Sequence, residues 1–160
     1  MQKIKVLEKL EGKKVVHWLF NPVLFAGSMI LLIGFAVRAS FGVFQIPIQE
    51  DFGWLRSDFS LAIAIQNLAW GVGQPIFSMI AEKHGDRKAI FLGSVLYALG
   101  LIFSSYAVTP LAHQFLEILV GFGIAGMGFG VILAVVGRAV PEKHRSLALG
   151  VTTSAGSLGQ

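Results

Sequence analysis

Long apolar stretches constrain the fold of this chain more than any other feature. Four of them are complete, at residues 24–48, 59–81, 89–108 and 111–136, and a fifth begins near residue 146. A helix needs about 20 mostly apolar residues to cross the hydrocarbon core of a bilayer, so each complete stretch is long enough to span it. The sequence therefore predicts an all-α, polytopic membrane helix bundle.

The composition agrees with a lipid environment. Hydrophobic residues make up 54% of the 160 residues and charged residues 14%, whereas soluble domains carry roughly a quarter charged residues. The chain has no cysteine, which excludes disulfides and thiolate metal sites. The first apolar stretch is too long for a signal peptide and contains Arg38, so it is predicted to be a retained span.

Lysine and arginine are unevenly distributed along the chain. Eleven of the 13 lie in residues 1–23, in the turn after the second stretch or in the turn after the fourth. The positive-inside rule places these segments in the cytoplasm, so residues 1–23 are predicted to be a cytoplasmic N-terminal tail. The net charge of +4 is explained by this asymmetry, and nucleic acid is not expected as a partner.

A charged turn separates the second and third stretches. Residues 78–88 read SMIAEKHGDRK. This order resembles the loop motif of the major facilitator superfamily, with Ser78 in place of its first glycine and Glu82 in place of its aspartate. The resemblance implies a gating loop formed by Glu82, Lys83, Gly85, Asp86, Arg87 and Lys88. From the residues alone, these charges either form an ion network at the membrane surface or only fix the topology.

Two further segments extend the resemblance over most of the chain. Residues 38–54 and 136–160 are similar to corresponding regions of bacterial oxalate/formate antiporter-like and monocarboxylate-type facilitators. The resemblance implies that residues 24–160 form most of the N-terminal six-helix half of a twelve-span fold, with a truncated fifth span. It also implies secondary transport by alternating access in a bacterial inner membrane, with the C-terminal half of the same protein as the missing partner, and no cofactor. We therefore expect residues 1–160 alone not to catalyse uptake.

Arg38 is the main candidate for substrate binding. It shares one helical face of the first stretch with Gly34, Gly42, Gln45 and Gln49. An arginine at membrane depth is costly unless it faces the bundle interior or an aqueous cavity. Because a guanidinium group binds carboxylates through paired hydrogen bonds, the sequence predicts transport of a small organic anion, a monocarboxylate or dicarboxylate. A structural arginine that pairs with a neighbouring helix is the alternative.

The second and fourth stretches carry further polar residues. Gln66, Trp70 and Gln74 share one helical face and are candidates for substrate binding or for hydrogen bonds between helices. Glu117 stands where the superfamily's fourth-span motif usually has arginine. Because Arg38 and Glu117 lie at comparable depths, we expect an ion pair between them, so that protonation of Glu117 releases Arg38 and couples transport to protons. In the alternative, Glu117 is solvated near the interface.

Other functions remain open from the sequence alone. One is cation or drug efflux that uses Glu117, and another is a small non-transporting membrane scaffold or subunit. An enzyme is not expected, because the spans contain no Ser/His/Asp set and no metal-ligand spacing, and the four histidines lie at or near span ends. Small residues on one face of the fourth stretch predict close helix packing there: Gly123, Gly126, Gly130, Ala134 and Gly137.

Overall fold

The computed structural model describes residues 20–160, which are helical apart from short turns. The helices are α1 (Pro22–Phe52), α2 (Arg56–His84), α3 (Asp86–Ser104), α4 (Pro110–Met127), α5 (Phe129–Ala139) and α6 (Arg145–Leu158), with a 3-10 turn at Glu142–His144. Within residues 20–160 there is no β-strand, in agreement with the all-α prediction. Residues 1–19 of the predicted cytoplasmic tail lie outside the described residues.

Local sequence explains where the helices begin and end. α1 begins after Asn21, whose side chain accepts a hydrogen bond from the backbone N–H of Val23 at 2.9 Å, and this cap satisfies one of the free donors of the first turn. Thr109 caps α4 in the same way, accepting from Ala112 at 3.3 Å. α1 continues past the predicted end at residue 48 as far as Gly53, which adopts a left-handed conformation with φ 67°.

Hydrogen bonds at both ends of the bundle fix the up-and-down order of the helices. At one end, Asn21 Nδ2 donates to the carbonyl of Ala139 at 3.0 Å, so the start of α1 lies beside the end of α5. At the other end, the Trp54 indole N–H donates to the carbonyl of Val108 at 3.3 Å. The loop after α1 and the turn after α3 therefore lie together, opposite the turn between α2 and α3.

Three described segments are long and apolar enough to cross a membrane by length and composition: Pro22–Phe52, Asp86–Ser104, and α4 with α5 taken together, Pro110–Ala139. α2 has 29 residues and is about 44 Å long at 1.5 Å per residue, but it is more polar and is not in this set. The second predicted span, which lies within α2, therefore does not meet this criterion of length and composition and remains a prediction.

The helices pack in two groups that share one tryptophan. α1, α5 and α6 enclose a cluster of buried residues that includes Leu31 and Ile132. α2, α3 and α4 enclose most of the two other clusters, which include Phe77 and Val120. Trp70 of α2 packs against all three clusters and so joins the two groups.

Glycine allows the closest helix contacts. A Cβ added at Gly93 of α3 would lie 2.6 Å from the Cα of Gly126 in α4, and one at Gly123 would also meet the α3 backbone. Gly130 instead faces the side chain of Gln74 in α2. Gly137 faces side chains of α6, so the predicted small-residue seam divides among three neighbouring helices.

The single span predicted at residues 111–136 consists of two helices. α4 and α5 are separated by Gly128, whose backbone is extended with φ −90° and ψ −168°. A Cβ at this position would lie 2.5 Å from the carbonyl oxygen of Ile124, which is too close for a side chain. The break therefore depends on the glycine, which is one of the recognised causes of a sharp helix kink.

Candidate substrate and coupling site

Arg38 extends from α1 to three residues of α2. Its Nε donates to Oε1 of Gln66 at 3.1 Å, and its Nη2 donates to Oδ1 of Asn67 at 2.7 Å. Its guanidinium carbon lies 5.6 Å from the centre of the Trp70 ring, which is within the range of a cation–π interaction. Two amides and an aromatic ring thus stabilise the charge of Arg38.

Gln66 extends these contacts into α4. Its side chain is fully buried, and its Nε2 donates to Oε2 of Glu117 at 2.6 Å. The other carboxylate oxygen lies 3.7 Å from Nε2 of His113, one turn earlier in α4. Nδ1 of His113 lies 2.6 Å from the hydroxyl of Ser104 in α3. These five side chains, Arg38, Gln66, Glu117, His113 and Ser104, form what we call the polar row.

Arg38 and Glu117 are not in direct contact, which corrects the predicted ion pair. The Gln66 amide from α2 stands between the two residues and bonds to both. The alternative of a solvated Glu117 is also wrong, because its exposed fraction is 0%. Glu117 is therefore a buried carboxyl group that reaches Arg38 through one amide.

A cavity of about 350 Å³ lies beside Arg38. Its wall contains Arg38, Gln45 and Gln66, together with Phe41, Gly42, Phe59, Ser60 and Ile63. Ligand sites typically range from about 300 to 1,000 Å³, so this cavity suits a small ligand. A cation, two amides and two aromatic rings are thus available to one bound molecule. We call it the arginine cavity.

Two of the predicted substrate-binding residues do not line the arginine cavity. Trp70 contacts Arg38 through its ring. Gln74 lies further along α2 against α5, where its Oε1 would be 2.8 Å from a Cβ added at Gly130. Three of the five predicted residues therefore lie on the cavity wall and one supports Arg38, while Gln74 lies at a separate helix contact.

His113 belongs to the site, although the sequence analysis did not select it. Its exposed fraction is 4%, and its ring is nearly parallel to those of Phe41 and Phe59, at centroid distances of 6.4 Å and 5.9 Å. His113 and Ser104 also line a second cavity of about 340 Å³. The sequence signal that could have identified His113 is its spacing of four residues from Glu117, because residues four apart share a helix face.

The charged turn is helical except for one residue. Glu82 and Lys83 lie in the last turn of α2, Asp86 begins α3, and Gly85 joins the helices with φ 95°, a conformation that glycine adopts most readily. Asp86 Oδ1 accepts a hydrogen bond from Arg138 Nη2 at 2.5 Å, so the turn is tied to the end of α5.

The ion network, one of the two alternatives that the sequence left open for the charged turn, is not formed by the described residues of the turn. Glu82, Lys83, Arg87 and Lys88 are exposed and make no ion pair with one another. Exposed side chains gain little from pairing in water, because solvent screens the charges and ordering the side chains costs entropy. The ion pair of this region instead joins Asp86 to a residue outside the turn.

The site has the chemistry of anion binding and proton binding. Arg38 uses two N–H groups in the hydrogen bonds to Gln66 and Asn67, and a guanidinium has five, so donors remain for a ligand. Glu117 and His113 are both able to hold a proton. Within residues 20–160, no three His, Asp or Glu side chains are grouped so that they could hold a metal ion.

Comparison with known proteins gives the family. The model of the Major Facilitator Superfamily matches residues 24–160. Monocarboxylate transporter 13 of Bos taurus is 35% identical over 143 residues, which cover 84% of this chain and 31% of that protein. The uncharacterized MFS-type transporter YcxA of Bacillus subtilis (strain 168) is 26% identical over 138 residues, which cover 82% of this chain and 33% of that protein. The chain thus spans about a third of the length of these relatives. It belongs to the major facilitator superfamily, and its described residues form an all-α membrane helix bundle of that family.

Proposed function

We propose that this chain is part of a secondary transporter that moves a small organic anion, a monocarboxylate or dicarboxylate, by alternating access. The observation that carries the proposal is Arg38 on the wall of a cavity of about 350 Å³. Its remaining N–H groups form a fork that matches a carboxylate. Gln45 and Gln66 supply further hydrogen-bonding groups on the same wall.

The walls of the arginine cavity favour a small substrate with an apolar part. Phe41, Phe59 and Ile63 face the space beside the polar residues. A short carboxylate would place its charged group at Arg38 and its carbon chain against these apolar side chains. The relatives named monocarboxylate transporter agree with this class of substrate.

Alternating access requires a second set of helices that closes on the same site from the other side. The chain spans 31% of the bovine relative, and we propose that the remaining helices come from a C-terminal half of the same protein. We also propose a cytoplasmic N-terminus in a bacterial inner membrane. The positive-inside rule supports this orientation, since the basic turn between α2 and α3 and the start of α1 lie at one end of the bundle.

We assign proton coupling to Glu117 and gating to the charged turn. A proton on Glu117 removes the negative charge that reaches Arg38 through Gln66, so Arg38 becomes freer to bind a substrate carboxylate. In the turn, Gly85 and the Asp86–Arg138 ion pair are the parts with a defined conformation. The exposed Glu82, Lys83, Arg87 and Lys88 are available to contact the rest of the transporter.

Cation or drug efflux is the less favoured alternative. It would use Glu117 as the binding group, but Glu117 has an exposed fraction of 0% and is not among the residues lining the arginine cavity. The residue on the cavity wall is a cation, which repels a cationic substrate. A scaffold without transport activity and an enzyme are both disfavoured by relatives that are named as transporters.

Uptake by membrane vesicles that contain the native full-length protein tests this proposal. Three compounds are tested, each carrying a label: pyruvate, succinate and the cation tetraphenylphosphonium. We expect uptake of a carboxylate, and we expect Arg38→Gln to raise its KM by about 10- to 100-fold, because a charge-assisted hydrogen bond contributes about 1.5–3 kcal/mol. Arg56→Gln is the matched control, since Arg56 is exposed at the start of α2. Uptake of the cation alone, or a carboxylate KM that is unchanged in Arg38→Gln, would contradict the proposal.

A further inference from the structure

Gln66 occupies a position where both ends of its amide are fixed by charged neighbours. Arg38 has only donors, so the atom of Gln66 that faces it must be the oxygen. The amide nitrogen then points to Glu117 and donates to its carboxylate at 2.6 Å. The orientation of this amide therefore follows from the chemistry of its two neighbours. Since the side chain is fully buried, water does not compete for either end.

This orientation is most stable while Glu117 is ionised. A proton on Oε1 removes the charge that strengthens the bond from Gln66, since bonds to charged groups are roughly twice as strong as neutral ones. A proton on Oε2 goes further, because Oε2 then becomes a donor facing the donor nitrogen of Gln66. The amide has to turn over to accept that bond. It then presents its NH2 group to Arg38, which has no acceptor, and the Arg38–Gln66 bond is lost.

We propose that Gln66 is a positioning residue that makes carboxylate binding at Arg38 depend on the protonation of Glu117. The inference rests on the proposed function and concerns the same site. In the ionised state, Gln66 holds Arg38 on α2 and opposes its use by a substrate. One proton from the aqueous phase forms an O–H bond on the Glu117 carboxylate, and Arg38 then turns to the substrate anion. The proton leaves Glu117 when the substrate leaves.

The other charged and titratable groups around Glu117 are few. His113 faces it at 3.7 Å from the same helix, and Arg38 of α1 reaches it through Gln66. Tyr97 of α3 lies within electrostatic reach of both Glu117 and Arg38. From α2 the facing group is the Gln66 amide, which has no titratable proton in this pH range. His113 is thus the nearest group that can pass a proton to Glu117.

Asn67 provides a matched comparison on the same helix. It accepts a hydrogen bond from Arg38 at 2.7 Å, as Gln66 does, but no hydrogen bond connects it to Glu117. A change at Asn67 therefore removes one of the contacts that hold Arg38 without interrupting the connection to the carboxyl group. A change at Gln66 interrupts both.

The test is the pH dependence of the KM for pyruvate in vesicles with the native full-length protein, from about pH 6 to about pH 8. In the wild type, we expect KM to rise with pH by up to about tenfold per pH unit where Glu117 titrates, since binding and protonation are linked. Gln66→Met and Gln66→Asn, which is too short to bridge, should both reduce this slope to less than about twofold over the range. Asn67→Leu should keep the wild-type slope, whatever its absolute KM.

Three results would overturn the inference. The first is a wild-type slope that persists in Gln66→Asn or in Gln66→Met. The second is the same flattened slope in Asn67→Leu as in the Gln66 variants, because any loss of an Arg38 contact would then suffice. The third is a steep slope in Glu117→Gln, which carries no titratable carboxyl group and serves as the test if neither Gln66 variant reaches the membrane. Absence of carboxylate uptake in the wild type, or an unchanged KM in Arg38→Gln, would instead overturn the proposed function and this inference with it.

Discussion

Asp86 and Arg138 form an ion pair that joins the start of α3 to the end of α5, with 2.5 Å between Oδ1 and Nη2. The two residues belong to the two packing groups, one on each side of the bundle. The pair is partly exposed, with 58% of the Arg138 side chain and 32% of the Asp86 side chain accessible. Its contribution to folding is therefore small, and we propose that it takes part in the gating assigned to the charged turn.

Neutralising this pair should slow transport more than it destabilises the protein. For Asp86→Asn and Arg138→Gln we expect a loss of at most about 1 kcal/mol of unfolding free energy, because solvent screens exposed pairs. The transport rate should fall in both variants and recover in the exchange Asp86→Arg with Arg138→Asp. The measurements are initial uptake rates and thermal unfolding in detergent. An exchange variant as slow as the single variants would contradict a role for the pair, and Asp51→Asn, at an exposed carboxylate outside the charged turn, is the control.

Adding a methyl group at the α3–α4 contact should destabilise the bundle. In Gly93→Ala the new Cβ would lie 2.6 Å from the Cα of Gly126, so the backbones must separate, at a cost of about 1–3 kcal/mol. Gly71→Ala is the matched control, because no atom lies within 4 Å of a Cβ there and alanine favours a helix over glycine by about 0.5–1 kcal/mol. Thermal unfolding in detergent compares the two. Equal stability of the two variants would show that the helices do not pack as described.

Replacing His113 by phenylalanine should lower the unfolding free energy, because Glu117 is buried beside it. The new ring can still stack between Phe41 and Phe59, but it loses the hydrogen bond between Nδ1 and the Ser104 hydroxyl and removes the imidazole that lies 3.7 Å from Oε1 of Glu117. We expect a loss of about 1–3 kcal/mol, since a buried polar group without a partner is costly. Adding Glu117→Gln should recover part of that loss, because a neutral amide is easier to bury than a carboxylate. Chemical unfolding of the single and double variants measures these differences in stability. A double variant less stable than His113→Phe would contradict the prediction.

The hydroxyl of Tyr97 should contribute measurably to the contact between α3 and α1. It donates to the carbonyl of Gly34 at 3.0 Å, and its residue is only 6% exposed. Tyr97→Phe should therefore lower the unfolding free energy by about 0.5–1.5 kcal/mol, the usual net value of one hydrogen bond. Tyr106→Phe is the control, because Tyr106 is 78% exposed. If the two variants unfold at the same temperature, the Tyr97 hydrogen bond does not contribute to stability.

The sequence allowed the prediction of most helices and of the main polar residues. The apolar stretches coincide with the helices to within a few residues, because a bilayer permits few other structures. Arg38, Gln66 and Glu117 stood out because polar groups are rare at membrane depth. The break at Gly128 was not predicted, since glycine is common in membrane helices and its effect depends on the close approach of the Ile124 carbonyl.

The connections within the site required the structure. Depth along a helix can be counted from the sequence, but rotation about its axis and the distance to a neighbour cannot. The sequence therefore placed Arg38 and Glu117 at the same level and missed the amide between them. The partner of Asp86 was missed for the same reason, because Arg138 is distant in sequence and lies on another helix.

α2 is held in the bundle by its neighbours more than by its own affinity for lipid. It is long enough to cross a membrane but too polar to be selected by length and composition, and it packs most closely against α4. During synthesis α2 leaves the ribosome before α4 exists, so for an interval Gln66 has no Glu117 to bind. Until α4 arrives, α2 therefore lacks both its main packing partner and the acceptor for the Gln66 amide, and we expect it to be less stable in the membrane than in the complete bundle.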